Sequence, residues 1–330
     1  MAKRQEDYLT LSAILRAREP KMLSKEKAAR MLEAASFEDA AKALTDCGYE
    51  DMSQMNAREI EESLEKHRGE IYDELTKLSP DSTVTDLFRM KYDYHNAKVI
   101  IKSEAMGLSA VRLLSDAGRV DKNKLKSAYE NEDMKEIPPV LAKAMEEARS
   151  LLARTSNPQQ ADFILDRAYF KEFADEAASE KNDFLCGYAR LMIDASNLKA
   201  AVRTMKMGKD TAFLKEALVE GGNVEPARLL AAEDKDSLAA LFSWSDLSAA
   251  AALLGDVVEG GSMTQFELAC DNALNKYLQK AKMVSYGSEA VVAYCAALEN
   301  EMTAVRMILT GRLAKVDPQT IKERLRDLYA

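Results

Sequence analysis

Residues 85–108 read TDLFRMKYDYHNAKVIIKSEAMGL, and the spacing inside them decides the fold. Leu87, Met90, Tyr94, Ala97, Ile101, Ala105 and Leu108 follow one another at intervals of three and four, which draws one apolar stripe along an α-helix. Residues 182–206 repeat the pattern with Phe184, Tyr188, Leu191, Ala195, Leu198, Val202 and Met205. Each stripe runs about seven turns, roughly 35 Å at 1.5 Å per residue, which is long for a globular protein. Shorter helices are expected to start at Ser24, Ser36, Asn157 and Asp317. The last two stand before Pro158 and Pro318, where proline at the first helical position loses no hydrogen bond and the Asn or Asp side chain caps the free amides. Strand evidence is poor, because β-branched residues are scattered and strict alternation lasts only a few positions. The expected class is all-α.

Composition agrees with few, long helices. The 330 residues hold only 13 glycines and 7 prolines, about half the combined share of roughly 12% in an average globular chain. With 47% hydrophobic residues and 46 basic against 55 acidic side chains, the chain is acidic, at −9, and able to form a core. That excludes collagenous, disordered and disulfide-stapled classes. Cys47, Cys186, Cys270 and Cys295 form no CxxC pair and read as buried thiols. The longest apolar run, 247–258, is short and broken by Asp256, and no charged start leads into an apolar stretch. Neither a membrane span nor export by a signal peptide is expected. No Pro/Gly/Ser-rich linker divides the chain, so a single body of repeated parts is expected.

The two long stripes share landmarks. Asn96 is followed by Lys102 six residues later and Gly107 eleven later, and Asn197 by Arg203 and Gly208 at the same spacings. A helix around residues 294–310 offers Glu301, Arg306 and Gly311 at spacings of five and ten. Each glycine is placed to end its helix, since it adopts the left-handed cap without a Cβ penalty. Next come Val120-Asp121 with Leu125, Val224-Glu225 with Leu229, and Val316-Asp317 with Ile321, with Leu23-Ser24 and Ala28 as a fainter fourth copy. These landmarks suggest units near 60–160 and 161–265, and a third made of 266–330 together with 1–59. Units near 100 residues do not fit tetratricopeptide or HEAT periods. Three parts, one shared between the ends of the chain, suggest closure around an axis.

Charge is patterned too. Residues 86–126 hold nine basic and five acidic side chains, 190–215 six and two, and 300–326 six and three. These segments carry +4, +4 and +3, leaving −20 for the rest. Two readings stay open. Lysine and arginine favour the last turns of helices, where they meet the negative end of the dipole, and three basic edges would also dock acidic partner surfaces.

Several chemistries fail on inspection. The one Gly-Lys pair, Gly208-Lys209, has Arg203 where a phosphate loop needs glycine, and Asp210 follows, so no nucleotide binding is expected. His67 precedes Arg68 and His95 precedes Asn96, so no HExxH site for zinc forms. Glu233-Asp234-Lys235-Asp236 carries a lysine inside what a magnesium-binding acidic motif would need, and reads as a solvated helix start before Ser237. The acidic total argues against nucleic-acid and anionic-lipid binding.

The stretch Asp86-Leu-Phe-Arg-Met-Lys-Tyr-Asp-Tyr-His-Asn-Ala-Lys98 resembles the C subunit of V-type and A-type rotary ATPases, the counterpart of the d subunit in the eukaryotic vacuolar enzyme. Supporting stretches are the helix from Tyr8 to Arg18, Leu165-Asp-Arg-Ala-Tyr-Phe170, and Glu299-Asn-Glu-Met-Thr-Ala-Val-Arg-Met-Ile-Leu-Thr-Gly311. The resemblance implies three similar helical domains around a pseudo-threefold axis, shaped like a funnel. It also implies a non-catalytic peripheral rotor subunit on the cytoplasmic side of the membrane, without cofactor or metal. Its implied partners are the D and F subunits of the central stalk and the membrane rotor ring. Candidate contact residues at matched positions are Asn96, Lys98, Lys102, Asn197, Lys199, Arg203, Glu301 and Arg306. Asn96 and Asn197 border apolar stripes and equally suit hydrogen bonds inside the body. A free-standing helical adaptor for acidic partners is the alternative reading.

Overall fold

Every regular element in the computed structural model, which describes residues 5–330, is helical. The α-helices in chain order are α1 Leu9–Arg18, α2 Lys25–Glu33, α3 Phe37–Lys42, α4 Ala57–Leu78, α5 Thr83–Met106 and α6 Lys122–Glu130. They continue with α7 Pro139–Thr155, α8 Pro158–Ser179, α9 Asp183–Lys206, α10 Thr211–Ala217, α11 Pro226–Leu230 and α12 Lys235–Phe242. The last are α13 Ser248–Ala251, α14 Leu254–Val258, α15 Met263–Leu278, α16 Ser288–Leu313 and α17 Pro318–Lys322. Among the described residues no helix is long and apolar enough to cross a membrane.

Helix starts follow local chemistry. Ser24, Ser36, Asn157 and Asp317 all accept amide hydrogen bonds from the first turns of their helices, as their positions predict. Asn56 adds a reciprocal capping box with Glu59 at the start of α4. Asp234, three residues before Ser237, caps α12 in the same way.

The chain forms two compact units. One holds the chain up to Thr85 with Trp244–Asp256 and Gly260–Ala330. Its core joins the two ends of the sequence: Leu23, Met31, Leu44, Met52, Ile60 and Leu64 pack in one cluster with Val305, Ile308, Leu309 and Ile321. Burying each such side chain contributes about 1.5–3 kcal/mol. Helix α16 is the hub of this unit, buried without a break from Ala290 to Leu298, which is the pattern of a helix surrounded on all sides. The last residues are strapped down by Arg326 on Asp271 (2.5 Å), and by Asn272 and Asn300, which bond the Asp327 backbone at 2.8 and 2.7 Å.

The other unit holds Asp86–Ser243 with Val257–Glu259. Helices α7 and α8 form an antiparallel hairpin, turned at Ser156 in the left-handed conformation (φ 53) and restarted by the Asn157 cap. Helix α9 packs on α8, and Phe88 lies edge-on to Phe173 and stacked with Tyr188. The α5 stripe is buried from Leu87 through Ile101, while Ala105 and Leu108 are exposed.

Two expectations need correction. Gly311 does not end its helix; α16 runs on to Leu313, and a Cβ on Gly311 would come within 2.7 Å of Ile321 Cδ1. Close helix approach, not a cap, requires glycine there. Of the four cysteines, Cys270 and Cys295 are buried, but Cys47 and Cys186 are only half-buried; all four are free.

Candidate functional site: anchored loops on the long helices

The long helices hold their neighbouring loops through carboxylates and amides that point away from solvent. On α5, Asn96 exchanges two hydrogen bonds with the backbone of Ser115: Nδ2 donates to the carbonyl at 2.9 Å and Oδ1 accepts from the amide at 2.8 Å. One turn earlier, Asp93 Oδ1 accepts from the Val120 amide at 3.1 Å and Oδ2 from Arg119 Nε at 2.7 Å. The loop comes so close that a Cβ on Gly118 would lie 2.5 Å from Asp93 Oδ1. Only glycine permits this approach.

Helix α9 repeats the arrangement. Asn197 exchanges hydrogen bonds of 2.8 and 2.9 Å with the Val219 backbone. Asp194 Oδ1 accepts from the Val224 amide at 3.1 Å and Oδ2 from Asn223 Nδ2 at 2.7 Å. A Cβ on Gly222 would collide with Asp194 Oδ1. On α16 the carboxylate is Glu301, whose Oε2 accepts from the Leu23 amide and Oε1 from the Tyr49 hydroxyl, both at 2.8 Å. Here Lys21 stands where the other loops have glycine. The extra methylene of glutamate spans the gap that aspartate closes by bringing the backbone nearer.

Each amide so held stands two residues before the first helical residue: Val120 before α6, Val224 before α11, Leu23 before α2. The apolar residue five positions on is buried in each case: Leu125, Leu229 and Ala28. The faint copy at Leu23-Ser24 is the one whose amide a long-helix carboxylate holds; the Val316 amide instead bonds the Gly311 carbonyl, although Ile321, five positions on, is buried as well.

Burial raises the pKa of Asp93, Asp194 and Glu301, because a low-dielectric surrounding disfavours the charged form. The three neighbourhoods differ. Asp93 shares Arg119 with Glu172, to which Arg119 Nη1 donates at 3.1 Å and the Tyr94 hydroxyl at 2.6 Å. Burial works against the Arg119 charge, yet Asp93 and Glu172 raise its pKa on balance. Asp194 and Glu301 instead face neutral donors, Asn223 and Tyr49.

The eight residues singled out from sequence divide into two groups. Asn96, Asn197 and Glu301 are buried, and their polar atoms bind the chain's own backbone or, at Glu301, Tyr49 as well. The others are basic and lie nearer the surface. Lys98 pairs with Asp166 at 2.5 Å and Lys102 with Asp162 at 2.6 Å, fastening α5 to α8. Arg306 pairs with Glu61 at 2.8 Å, fastening α16 to α4. Lys199 is half-buried and Arg203 exposed on α9. The left-handed residues that close the long helices are Gly107, Gly208 and Lys315 (φ 63, 62 and 55). Counted from them, Lys98, Lys199 and Arg306 are equivalent, each nine residues before the cap, and Asp93, Asp194 and Glu301 each fourteen before it. Spacing counted from Gly311 therefore sets the α16 register off by about one turn.

Sequence reasoning misses Asp93, Asp194, Gly118 and Gly222. Their signal is an Asp three residues before the Asn on each long helix, followed in the next loop by Gly-x-Val: Gly118-Arg119-Val120 and Gly222-Asn223-Val224. An open groove of about 710 Å³ lies beside the end of α5, lined by Ile101, Met106, Tyr129, Arg149 and Leu152. Its polar rim is self-paired: Arg149 lies over the Tyr129 ring and bonds Glu104 at 2.8 Å. Among the described residues no His, Cys, Asp and Glu group is arranged to hold a metal.

The chain matches the ATP synthase (C/AC39) subunit family over residues 11–324. It is similar to the C subunit of the V-type sodium ATPase of Enterococcus hirae, 22% identical over 332 residues, covering 98% of this chain and 99% of the relative. It is also similar to the C subunit of the A-type ATP synthase of Methanocaldococcus jannaschii, 24% identical, with 96% and 86% covered, and to that of Haloferax volcanii, 25% identical, with 90% and 88% covered. By that match the chain belongs to the ATP synthase (C/AC39) subunit family.

Proposed function

We propose that the chain is the non-catalytic socket of a V/A-type rotary ATPase, joining the central stalk to the membrane rotor ring and carrying torque between them. The observation that carries this reading is the family match over residues 11–324, with relatives named as the C subunit of a V-type sodium ATPase and of A-type ATP synthases. The D and F subunits of the stalk and the ring are its proposed partners, on the cytoplasmic side, with protons or sodium as the coupled ion.

The anchored loops support a body of three similar parts. Asp93, Asp194 and Glu301 occupy equivalent places on three long helices, and each fixes the residue that leads into a short helix. On this reading the parts are residues 60–160, 161–265, and 266–330 completed by 1–59, arranged as a funnel around a pseudo-threefold axis. A spacer between a narrow shaft and a wide ring must resist twisting. Close-packed helices deform little, and hydrogen bonds from buried side chains tie the following loops to them.

Co-expression with the D and F stalk subunits and the ring protein, followed by affinity purification through this chain, tests the proposal. Recovery of both stalk and ring is expected. A folded chain recovered without either overturns it and favours a free-standing adaptor.

A further inference from the structure

Residues 325–330 have no regular structure, and among the described residues the backbone of 326–330 makes no hydrogen bond to another backbone group. Side chains hold it instead. The Asp327 amide donates to Asn272 Oδ1 at 2.8 Å, and the Asp327 carbonyl accepts from Asn275 Nδ2 at 2.9 Å and Asn300 Nδ2 at 2.7 Å. The Tyr329 carbonyl accepts from Gln279 Nε2 at 3.3 Å and Lys282 Nζ at 2.5 Å. Asn272, Asn275, Gln279 and Lys282 follow one another at intervals of three and four, so α15 and the turn after it present them as one row.

The side chains of the segment are recognised as well. Arg326 Nε donates to Asp271 Oδ2 at 2.5 Å, and Asp327 pairs with Lys25 at 3.0 Å. Leu328 is buried in the cluster that joins the two ends of the sequence. Tyr329 is buried too, with Lys282 over its ring at 4.5 Å; its hydroxyl accepts from Arg16 Nη1 and donates to Glu19 Oε1, both at 3.4 Å. Backbone bonds that give affinity, combined with separate sites for successive side chains that give selectivity, are how grooves recognise extended peptides. The fit is incomplete, because Asn300 Oδ1 is buried and has no hydrogen-bond partner among the described residues, which costs stability. Ties made by single side chains, outside any helix or sheet ladder, also open locally.

We propose that the row on α15, with Asn300 of α16, is a recognition groove for an extended Arg-Asp-Leu-Tyr peptide, and that its occupant is the chain's own segment 325–330, which leaves and re-enters it while the rest of the chain stays folded. The seated segment ties α1 and α2, through Arg16 and Lys25, to α15 and α16. All four helices belong to one compact unit. The groove and its segment thus act as a clasp between the helices that open this unit and those that close it. This goes beyond the rotor reading and does not depend on it.

Binding in trans to the full-length chain is the test. The double variant Leu328→Ser, Tyr329→Ser empties the groove, and a fluorescein-labelled peptide of residues 324–330, Arg-Leu-Arg-Asp-Leu-Tyr-Ala, is expected to bind it saturably by fluorescence anisotropy. Wild-type chain, whose groove is filled, is expected to bind the peptide at least about tenfold more weakly, as is the emptied chain with Asn272→Ala and Asn275→Ala added. A folded, emptied chain that does not bind, or that binds a scrambled peptide equally well, overturns the proposal, as does equal binding by wild type. Should the emptied chain misfold, hydrogen exchange of the wild type decides. The Asp327 amide is expected to exchange at least about tenfold more slowly than in the free peptide, yet at least about a hundredfold faster than the amides of residues 293–298 in α16. Exchange as fast as in the free peptide, or as slow as in α16, overturns the proposal.

Discussion

The carboxylate of Glu301 accepts a hydrogen bond from the backbone amide of Leu23 at 2.8 Å, across 278 positions of sequence. Its other oxygen receives the Tyr49 hydroxyl at 2.8 Å. Leu23 is thereby held at the middle of the long helix α16, much as α5 and α9 hold loops that follow them in sequence.

Side-chain length is matched to backbone distance at these anchors. Shortening Glu301→Asp withdraws the carboxylate from both donors and leaves a buried amide without a partner, at a cost of about 1–3 kcal/mol. Urea unfolding is expected to show a lower midpoint for E301D. Unaltered stability would mean the Leu23 amide finds another acceptor.

Glycine is required at two loops, where the backbone presses on a carboxylate. Gly118→Ala drives a Cβ to 2.5 Å from Asp93 Oδ1, and Gly222→Ala collides with Asp194 Oδ1; each is expected to destabilise by about 1–3 kcal/mol, as overpacking does. Gly69, inside α4, meets nothing within 4 Å, so Gly69→Ala is expected to stabilise by about 0.5–1 kcal/mol. Thermal unfolding of the three single variants separates the two cases.

The pH dependence should follow the partners of each carboxylate. Burial raises the pKa of Asp194 above its ordinary 3.8. The folded state therefore keeps this proton more readily than the unfolded chain. The Asp194 contribution to stability is full below the ordinary value and falls as pH rises through the raised one. Asp194→Asn keeps an acceptor for the Val224 amide and is expected to remove that fall, with little loss at pH 7. Asp93→Asn takes one of two counter-charges from half-buried Arg119, leaving Glu172, and is expected to cost more, about 1.5–3 kcal/mol as for a lost charged hydrogen bond. Stability curves between about pH 4 and 8 for both variants test the contrast.

Asn96 and Asn197 are structural ties, since each satisfies one buried amide and one buried carbonyl. Replacing either by alanine is expected to lower the stability of the isolated chain by about 1–3 kcal/mol. A change in assembly with unaltered stability would return these residues to the surface role.

Helices α5 and α9 and the caps at Ser24, Ser36, Asn157 and Asp317 are legible in the sequence because helical period and cap chemistry are local. The anchors are not. Asp93 looks like one polar residue among DYHN, and its partner Val120 lies 27 positions away in a loop. The α16 register slips because Gly311 resembles a helix stop, while the left-handed cap is held by Lys315 (φ 55). The Leu23–Glu301 tie joins opposite ends of the chain, so no spacing along the sequence reveals it. Lys98 and Lys102 look free for a partner in sequence, yet their counter-charges, Asp166 and Asp162, are internal and more than a helix away.

Rotation during ATP hydrolysis tests the rotor role most directly. Trp244, the single tryptophan, is fully exposed, so Trp244→Cys offers a labelling position for a fluorophore in complexes immobilised by their nucleotide-binding head. Stepwise reorientation of the label in the presence of ATP, in register with a label on the stalk, is the predicted result. A label that stays fixed relative to the head while the stalk label turns would contradict the rotor role.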